Sequence, residues 1–484
     1  MAVSWSVLLG LAGCGDDTSD LGPQPTTTTA EPDEEPTDTN NTDEDPSPDE
    51  RLVSAPCPYE VPASLADVTE CFTFAAADGI TVPVARVAAT ATDSSVPVVL
   101  QNGGPGASPW DGMVATITSP VGVAMRSRSD IVVVETRGSR YATPSLECEG
   151  LFEANQAVLD GGQADPNAVI EGCFETIRDE GIDLGDFDSL DLSEDIAAVM
   201  TALGADEFNY YGVSFGTIIG QHLLRDHDDR LGRIVLDSVA ALGTDSIDSM
   251  PFNADQALDA IATACEAEAA CTAGYGDVRA LVNATLESLD ATPLSLQVPD
   301  PNGGTRTVSI DGDRLAELFW SGLYANEVAE FIPLLALGVR TPEVQAVLAD
   351  LFVAQGINNP HAIPYYPGLS LASHCGDNRT LAPDFTGPDA TAFGRRVGLG
   401  TPLDSICEMF GLAALPDDKR APVKADTPVL LLAGNHDPVT PPAWAESVAE
   451  GLSQGVAHTV RGVGHGVIAS ACGEQAILAF LDGA

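Results

Sequence analysis

Short, largely apolar runs recur along this chain, at Val96–Leu100, Ile131–Val134, Phe208–Val213, Ile234–Leu236 and Val429–Leu432. A strand with one wet face alternates apolar and polar residues, whereas one buried on both faces does not. Between the runs lies a helical period, with Ile196, Val199, Met200 and Leu203 on one face of a helix over Ser193–Leu203. Strands buried on both sides and separated by helices predict a mostly parallel sheet with helices on both faces, an α/β fold. Phe72–Phe74 and Thr81–Val87, joined at Asp78-Gly79, add an antiparallel opening pair, and His458–Val460 closes the series. From residue 241 to 426 the strand rhythm disappears. Leu315, Leu318, Phe319, Leu323 and Tyr324 have helical spacing there, so this stretch reads as an inserted, mainly helical lid between core segments 55–240 and 427–484.

The N-terminus speaks to compartment. Residues 2–13 are apolar and end in Leu11-Ala12-Gly13-Cys14, too short a run to span a bilayer. Small residues before a Cys resemble the lipobox of bacterial lipoproteins, which makes Cys14 the expected lipidation site and the protein an exported, cell-envelope lipoprotein. Residues 15–54, rich in Thr, Pro, Asp and Glu, read as a solvated tether with nothing to bury. Contact with a membrane is then expected only through that anchor. In an exported chain the sequence-local cysteines predict disulfides Cys57–Cys71, Cys148–Cys173, Cys265–Cys271 and Cys375–Cys407, leaving Cys472 single. No cysteine or histidine spacing suits zinc, so neither metal nor cofactor is expected. Net charge is −51 with 21 Lys and Arg, and 59 acidic residues remain beyond residue 50. A surface this acidic excludes nucleic acid as a partner, since phosphate binding needs clustered bases.

The chemistry gathers at strand ends. Gly212-Val213-Ser214-Phe215-Gly216 follows one strand and opens one helix, the setting in which G-x-S-x-G lifts a serine Oγ above a sheet edge. In such a site the acid and the histidine follow the serine along the chain. His222 and His227 lie on the helix after Ser214, His361 and His374 in the lid, His436 beside the acid candidate, and His458 in a strand. His465, in Gly462-Val-Gly-His465-Gly466 after the last strand, can swing over the sheet edge as the base. Asp437 ends a strand and is the acid candidate, with Asp237, one strand earlier, as its alternative. Oxyanion donors are expected at the Phe215 N–H and in Asn102-Gly103-Gly104-Pro105-Gly106, at Gly104 first and Gly103 next.

Asn102-Gly-Gly-Pro-Gly, Arg137-Gly138, Gly-Val-Ser214-Phe-Gly-Thr, Leu236-Asp237, Asp437-Pro-Val-Thr-Pro and Gly464-His465-Gly occur in order. Together they resemble the proline iminopeptidase and tripeptidyl aminopeptidase group of α/β-hydrolases over roughly residues 55–484. The resemblance implies that fold and a cofactor-free serine exopeptidase acting at a peptide's free N-terminus. It also implies an acidic lid residue that holds the substrate ammonium, for which Asp377 is the candidate. Two departures concern substrate. Asn102 stands where the commonest form has His, and Ser139-Arg140-Tyr141 replaces the usual tail after Arg137-Gly138. A carboxylesterase acting on a small ester would use the same triad, and an idle tethered binding protein would use none of it.

Overall fold

In the computed structural model the apolar runs are strands of one sheet. It describes residues 48–483 apart from 78, 93–94, 152, 155–156, 158–163, 300–302, 325–327, 355–365, 382–389 and 398–401. Cys14, the tether up to residue 47 and His361 lie outside the described residues. In chain order the strands are β1 (Leu52–Ser54), β2 (Thr69–Ala77), β3 (Ile80–Val87), β4 (Ser95–Gln101), β5 (Ser129–Val134), β6 (Phe208–Val213), β7 (Leu231–Asp237), β8 (Leu294–Pro299), β9 (Thr305–Ile310), β10 (Val429–Gly434) and β11 (Gly455–Val460). Nine of them form a sheet in the order β1-β2-β3-β5-β4-β6-β7-β10-β11. The first three are antiparallel to their neighbours, and from β5 to β11 every neighbouring pair is parallel.

Both faces of that sheet are covered, as unbroken apolar strands require. Val99, Val132, Tyr210, Ile234 and Leu431 face one core, which the helices Ser189–Ala202 and Phe215–Asp226 cover with Ile196, Met200, Ile219 and Leu223. Leu100, Val133, Tyr211, Val235 and Leu432 face the other, against Trp110, Met113 and Ile477. Truncating one such side chain to Ala costs about 2–5 kcal/mol, because a close-packed interior only partly refills the hole. The helix Ser189–Ala202 starts where Asp188 accepts a hydrogen bond from the Asp191 N–H, satisfying a donor that the helix itself leaves open. Buried Arg137, just beyond β5, forks onto both oxygens of Asp195 on that helix, at 2.6 and 2.8 Å. Loss of either partner would strand the other charge in the interior.

The segment between β7 and β10 is mainly helical, with one addition that the helical spacing did not announce. It contains the antiparallel hairpin β8–β9, whose Leu294, Leu296 and Val298 are buried and alternate with exposed residues. Residues from Ala254 to Phe352, with Phe393, build a core of their own. Tyr366, Leu369, Cys375 and Cys407 instead join the core under the sheet. The four local cysteine couples are disulfide-bonded. Cys472, expected to be single, is engaged rather than free.

Burial acts on the carboxyl groups. Glu135, at the end of β5, is pushed up to about 7, and Asp188, Asp191 and Asp245 to about 6, in each case chiefly by desolvation. These groups hold protons in the fold that the unfolded chain releases near pH 4, so their contribution to stability falls as pH rises from about 4 to 7. The protein is therefore expected to melt at a higher temperature at pH 5 than at pH 8 in one buffer of constant ionic strength. Calorimetry at the two values checks this, and Glu135→Gln should narrow the difference.

Candidate active site

β6 ends at Val213 and is followed by Ser214, whose backbone takes φ 58° and ψ −124°, a left-handed geometry unusual for a residue with a side chain. The glycines around it are there for space. A Cβ on Gly212 would strike the Gly216 carbonyl, and one on Gly216 would sit 2.7 Å from the Asn102 carbonyl. Tyr210 Oη donates to the Gly216 carbonyl at 2.6 Å, and Thr217 Oγ1 to the Ser214 carbonyl at 2.6 Å. The strained turn is thus held from both sides, and Phe215 opens the helix with its N–H free of intrahelical bonding.

The loop after β4 rests on that serine. A Cβ on Gly103 would lie 2.5 Å from Ser214 Cβ and 3.0 Å from its Oγ, so only glycine lets the loop approach so closely. Gly104, with φ 130°, turns the chain there. Sequence reasoning missed what secures the loop. Asn102 Nδ2 donates to the Ser108 carbonyl at 3.1 Å, and Ser108 Oγ donates to Glu135 Oε1 at 2.7 Å. Glu135 also accepts from the Trp110 N–H at 3.0 Å and from Ser139 Oγ at 2.6 Å. Its signal was its place directly after β5, next to the loop after the neighbouring strand β4.

Asp437 and His465 meet. Asp437 lies in the turn after β10, and its Oδ2 is 2.8 Å from His465 Nδ1. Its Oδ1 accepts the N–H groups of Val439 and Thr440 at 2.8 and 2.9 Å, and Thr440 Oγ1 donates to Oδ2 at 2.6 Å. Burial raises the pKa of this carboxyl, but the His465 ring and these donors outweigh it and hold it below the usual carboxylate range. An ionised Asp437 requires Nδ1 to carry the imidazole proton, which leaves Nε2 as the basic atom. Nε2 is buried and has no hydrogen-bond partner, and no hydrogen bond joins it to Ser214 Oγ. Such bonds are often long until substrate binds.

Two further contacts surround the imidazole. The Tyr324 ring, at the end of the helix Gly312–Tyr324, lies over it with centroids 4.4 Å apart, and the His465 N–H donates to the Tyr324 carbonyl at 3.1 Å. One turn back along that helix Trp320 packs on Tyr324 at 5.7 Å and lines a cavity of about 460 Å³ with Met250, Asp311, Asp313, Glu317 and Arg396. Asp237 does not touch the ring. Its oxygens accept the Val467 and Ile468 N–H groups and Tyr211 Oη, each at 2.8 Å.

Asp377, the candidate for the substrate ammonium, is only 4 % exposed: its Oδ1 accepts from Ser189 Oγ, which in turn lies 2.9 Å from His222 Nε2, and its Oδ2 is buried with no hydrogen-bond partner among the described residues. His374 is likewise buried, pushed down to about 4 by desolvation, and His227 pairs with Glu194 at 3.1 Å. Among the described residues no cluster of His, Cys, Asp and Glu is arranged to hold a metal ion.

A family profile described as alpha/beta hydrolase fold matches residues 96–469. The chain is similar to serine protease Hip1 of Mycobacterium tuberculosis, 26 % identical over 223 residues that cover 42 % of each chain. It is also similar to a tripeptidyl aminopeptidase of Streptomyces coelicolor, 29 % identical over 162 residues, 31 % of this chain and 29 % of that one. The matches thus span less than half the length of either relative. Among solved structures, a proline iminopeptidase of Mycobacterium smegmatis aligns with a TM-score of 0.42 at 15 % identity, covering 85 % of this chain and 97 % of that one.

The contact between Asp437 and His465 has a kinetic consequence. Asp437→Asn keeps the shape but favours the wrong imidazole tautomer, and is expected to lower turnover of p-nitrophenyl acetate by roughly three to four orders of magnitude. Steady-state kinetics on the folded variant checks it. A loss below tenfold would remove Asp437 from the role of acid.

Proposed function

Because the chain belongs to the alpha/beta hydrolase family, we propose that it is a serine hydrolase and, more narrowly, an exopeptidase that cleaves residues or short peptides from a free peptide N-terminus. The observation that carries this reading is the buried Asp437–His465 pair, 2.8 Å apart, beside a sheet edge on which Ser214 is held at positive φ. Ser214 Oγ attacks the scissile carbonyl while His465 Nε2 takes its proton, and Asp437 stabilises the imidazolium through Nδ1–H. The N–H groups of Phe215 and Gly104 receive the charge on the carbonyl oxygen. The tetrahedral intermediate then expels the amine, which takes the proton from Nε2. Water, deprotonated by the same nitrogen, frees the acyl group and restores Ser214.

The narrower part rests on two relatives, named as a serine protease and a tripeptidyl aminopeptidase. With Asp377 buried, the carboxylates put forward for a substrate ammonium are Asp311, Asp313 and Glu317, in the cavity beside Trp320, where Arg396 pairs with Asp313 and Arg314 with Glu317. Four local disulfides support an oxidising, extracytoplasmic setting, and a lipid anchor at Cys14 remains part of the proposal.

The test begins with a fluorophosphonate probe, which should label the protein but not Ser214→Ala; an unlabelled wild type would end the hydrolase reading. A tripeptide p-nitroanilide is then compared with its N-acetylated form and with p-nitrophenyl acetate. A charge-assisted hydrogen bond to the ammonium is worth ~1.5–3 kcal/mol, so acetylation is expected to lower kcat/KM at least about tenfold. Equal cleavage of both peptides would leave a peptidase without N-terminal selectivity. Ester turnover with neither peptide cleaved would make the protein a carboxylesterase.

A further inference from the structure

The base belongs to a loop that starts far from the nucleophile. His465 follows β11 at the sheet edge, while Ser214 follows β6, and β10 and β7 lie between them. At ~4.8 Å per strand, β11 is about 14 Å from β6, so the loop must pass over the end of β10 to bring an imidazole near the serine. Something at the end of β7 has to receive it.

That receiver is built from Asp237 and Ser238. Gly466, Val467 and Ile468, the three residues directly after His465, offer consecutive N–H groups. The Gly466 N–H donates to Ser238 Oγ at 2.8 Å, and the Val467 and Ile468 N–H groups donate to the two oxygens of Asp237, each at 2.8 Å. Gly466 takes φ 81° and Ser238 φ 57°, so both sides of the contact adopt left-handed backbone to face each other. Tyr211 Oη, on β6, completes the coordination of Asp237 at 2.8 Å. The main chain of the same aspartate reaches the other way: its carbonyl accepts the Ser214 N–H at 2.9 Å. One fully buried residue therefore holds the backbone of the nucleophile with its carbonyl and the loop of the base with its carboxylate.

Resting on the assignment of Ser214 and His465 above, we infer that Asp237 is a positioning residue for the reaction, which sets the reach of His465 toward Ser214 by fixing residues 466–468. It is not a second acid, because His465 Nδ1 is engaged by Asp437 and the oxygens of Asp237 are filled by other donors. Asn in its place keeps one acceptor and turns an NH2 toward a backbone N–H. Two donors then face each other and the loop must shift. A misplacement near 1 Å in a reacting group can cost about a hundredfold in rate.

The experiment is a double-mutant cycle of Asp237→Asn with His465→Ala, read by steady-state hydrolysis of p-nitrophenyl acetate. In the otherwise native protein Asp237→Asn is expected to lower kcat about 10- to 100-fold with KM changed less than about twofold. In the His465→Ala background it is expected to change the residual kcat less than about twofold, since its effect passes through the imidazole. Wild-type kcat in the folded single variant, or an equal loss in both backgrounds, overturns the inference. Undiminished turnover by His465→Ala alone would instead overturn the triad, whatever Asp237 does. Should Asp237→Asn fail to fold, Ser238→Ala and Tyr211→Phe each remove one bond of the same bracket. Their kcat is expected to fall severalfold, and unchanged kcat in both overturns the inference equally.

Discussion

The parallel hydrogen-bonded register of β6, β7 and β10 is the constraint on which the site depends. Val213 stands level with Asp237, and Asp237 with Leu432, so three adjacent strands release their chains at nearly one height. Each release point carries one function: a strained serine, a carboxylate bracket, and a turn that holds Asp437. None of these residues contacts another through sequence proximity. They meet because parallel strands end side by side at fixed spacing, and because the covering helices make slippage costly by burying both faces.

Much of this arrangement was legible in the chain. Unalternating runs marked the buried strands, and glycines marked the places where backbone approaches backbone, as at Gly212 and Gly216. Asp437 and His465 could be singled out because each lies just past a strand with little else to explain it. Other features were hidden for identifiable reasons. The hairpin β8–β9 carries a plain alternation, but it sits within a long helical stretch whose stronger period set the reading. Asp377 was attractive because a disulfide at Cys375 would fix its position, and nothing in the sequence tells an exposed carboxylate from one tucked against Ser189 and His222. Asp237 was noticed by its position at a strand end, as the alternative acid. A strand-end carboxylate can bind a ring or a backbone, and only the fold shows which donors arrive.

Charge is distributed in two regimes. The surface carries the great excess of acids, where water and salt screen their repulsion. In the interior, carboxyl groups are handled one at a time. Asp195 is forked by Arg137, Asp237 is bound by two amides and a phenol, and Glu135 receives two hydroxyls and an amide. These interior acids bind loops and helix starts, so they act as fasteners for the connections that short strands cannot hold by themselves.

The helix Gly312–Tyr324 ends directly on the base. Its Leu323 carbonyl occupies the space where a Cβ of residue 464 would be, its Tyr324 carbonyl takes the His465 N–H, and its last ring covers the imidazole. The part of the chain that lines the cavity beside Trp320 is therefore also the backing of His465. Cavity wall and imidazole are one mechanical unit here, and a change that re-aims this helix also re-aims the ring. A graft of the segment between β7 and β10 from another hydrolase would have to bring a helix end that fits the Gly464 notch. Without that fit, the transplanted segment would leave the histidine misaligned.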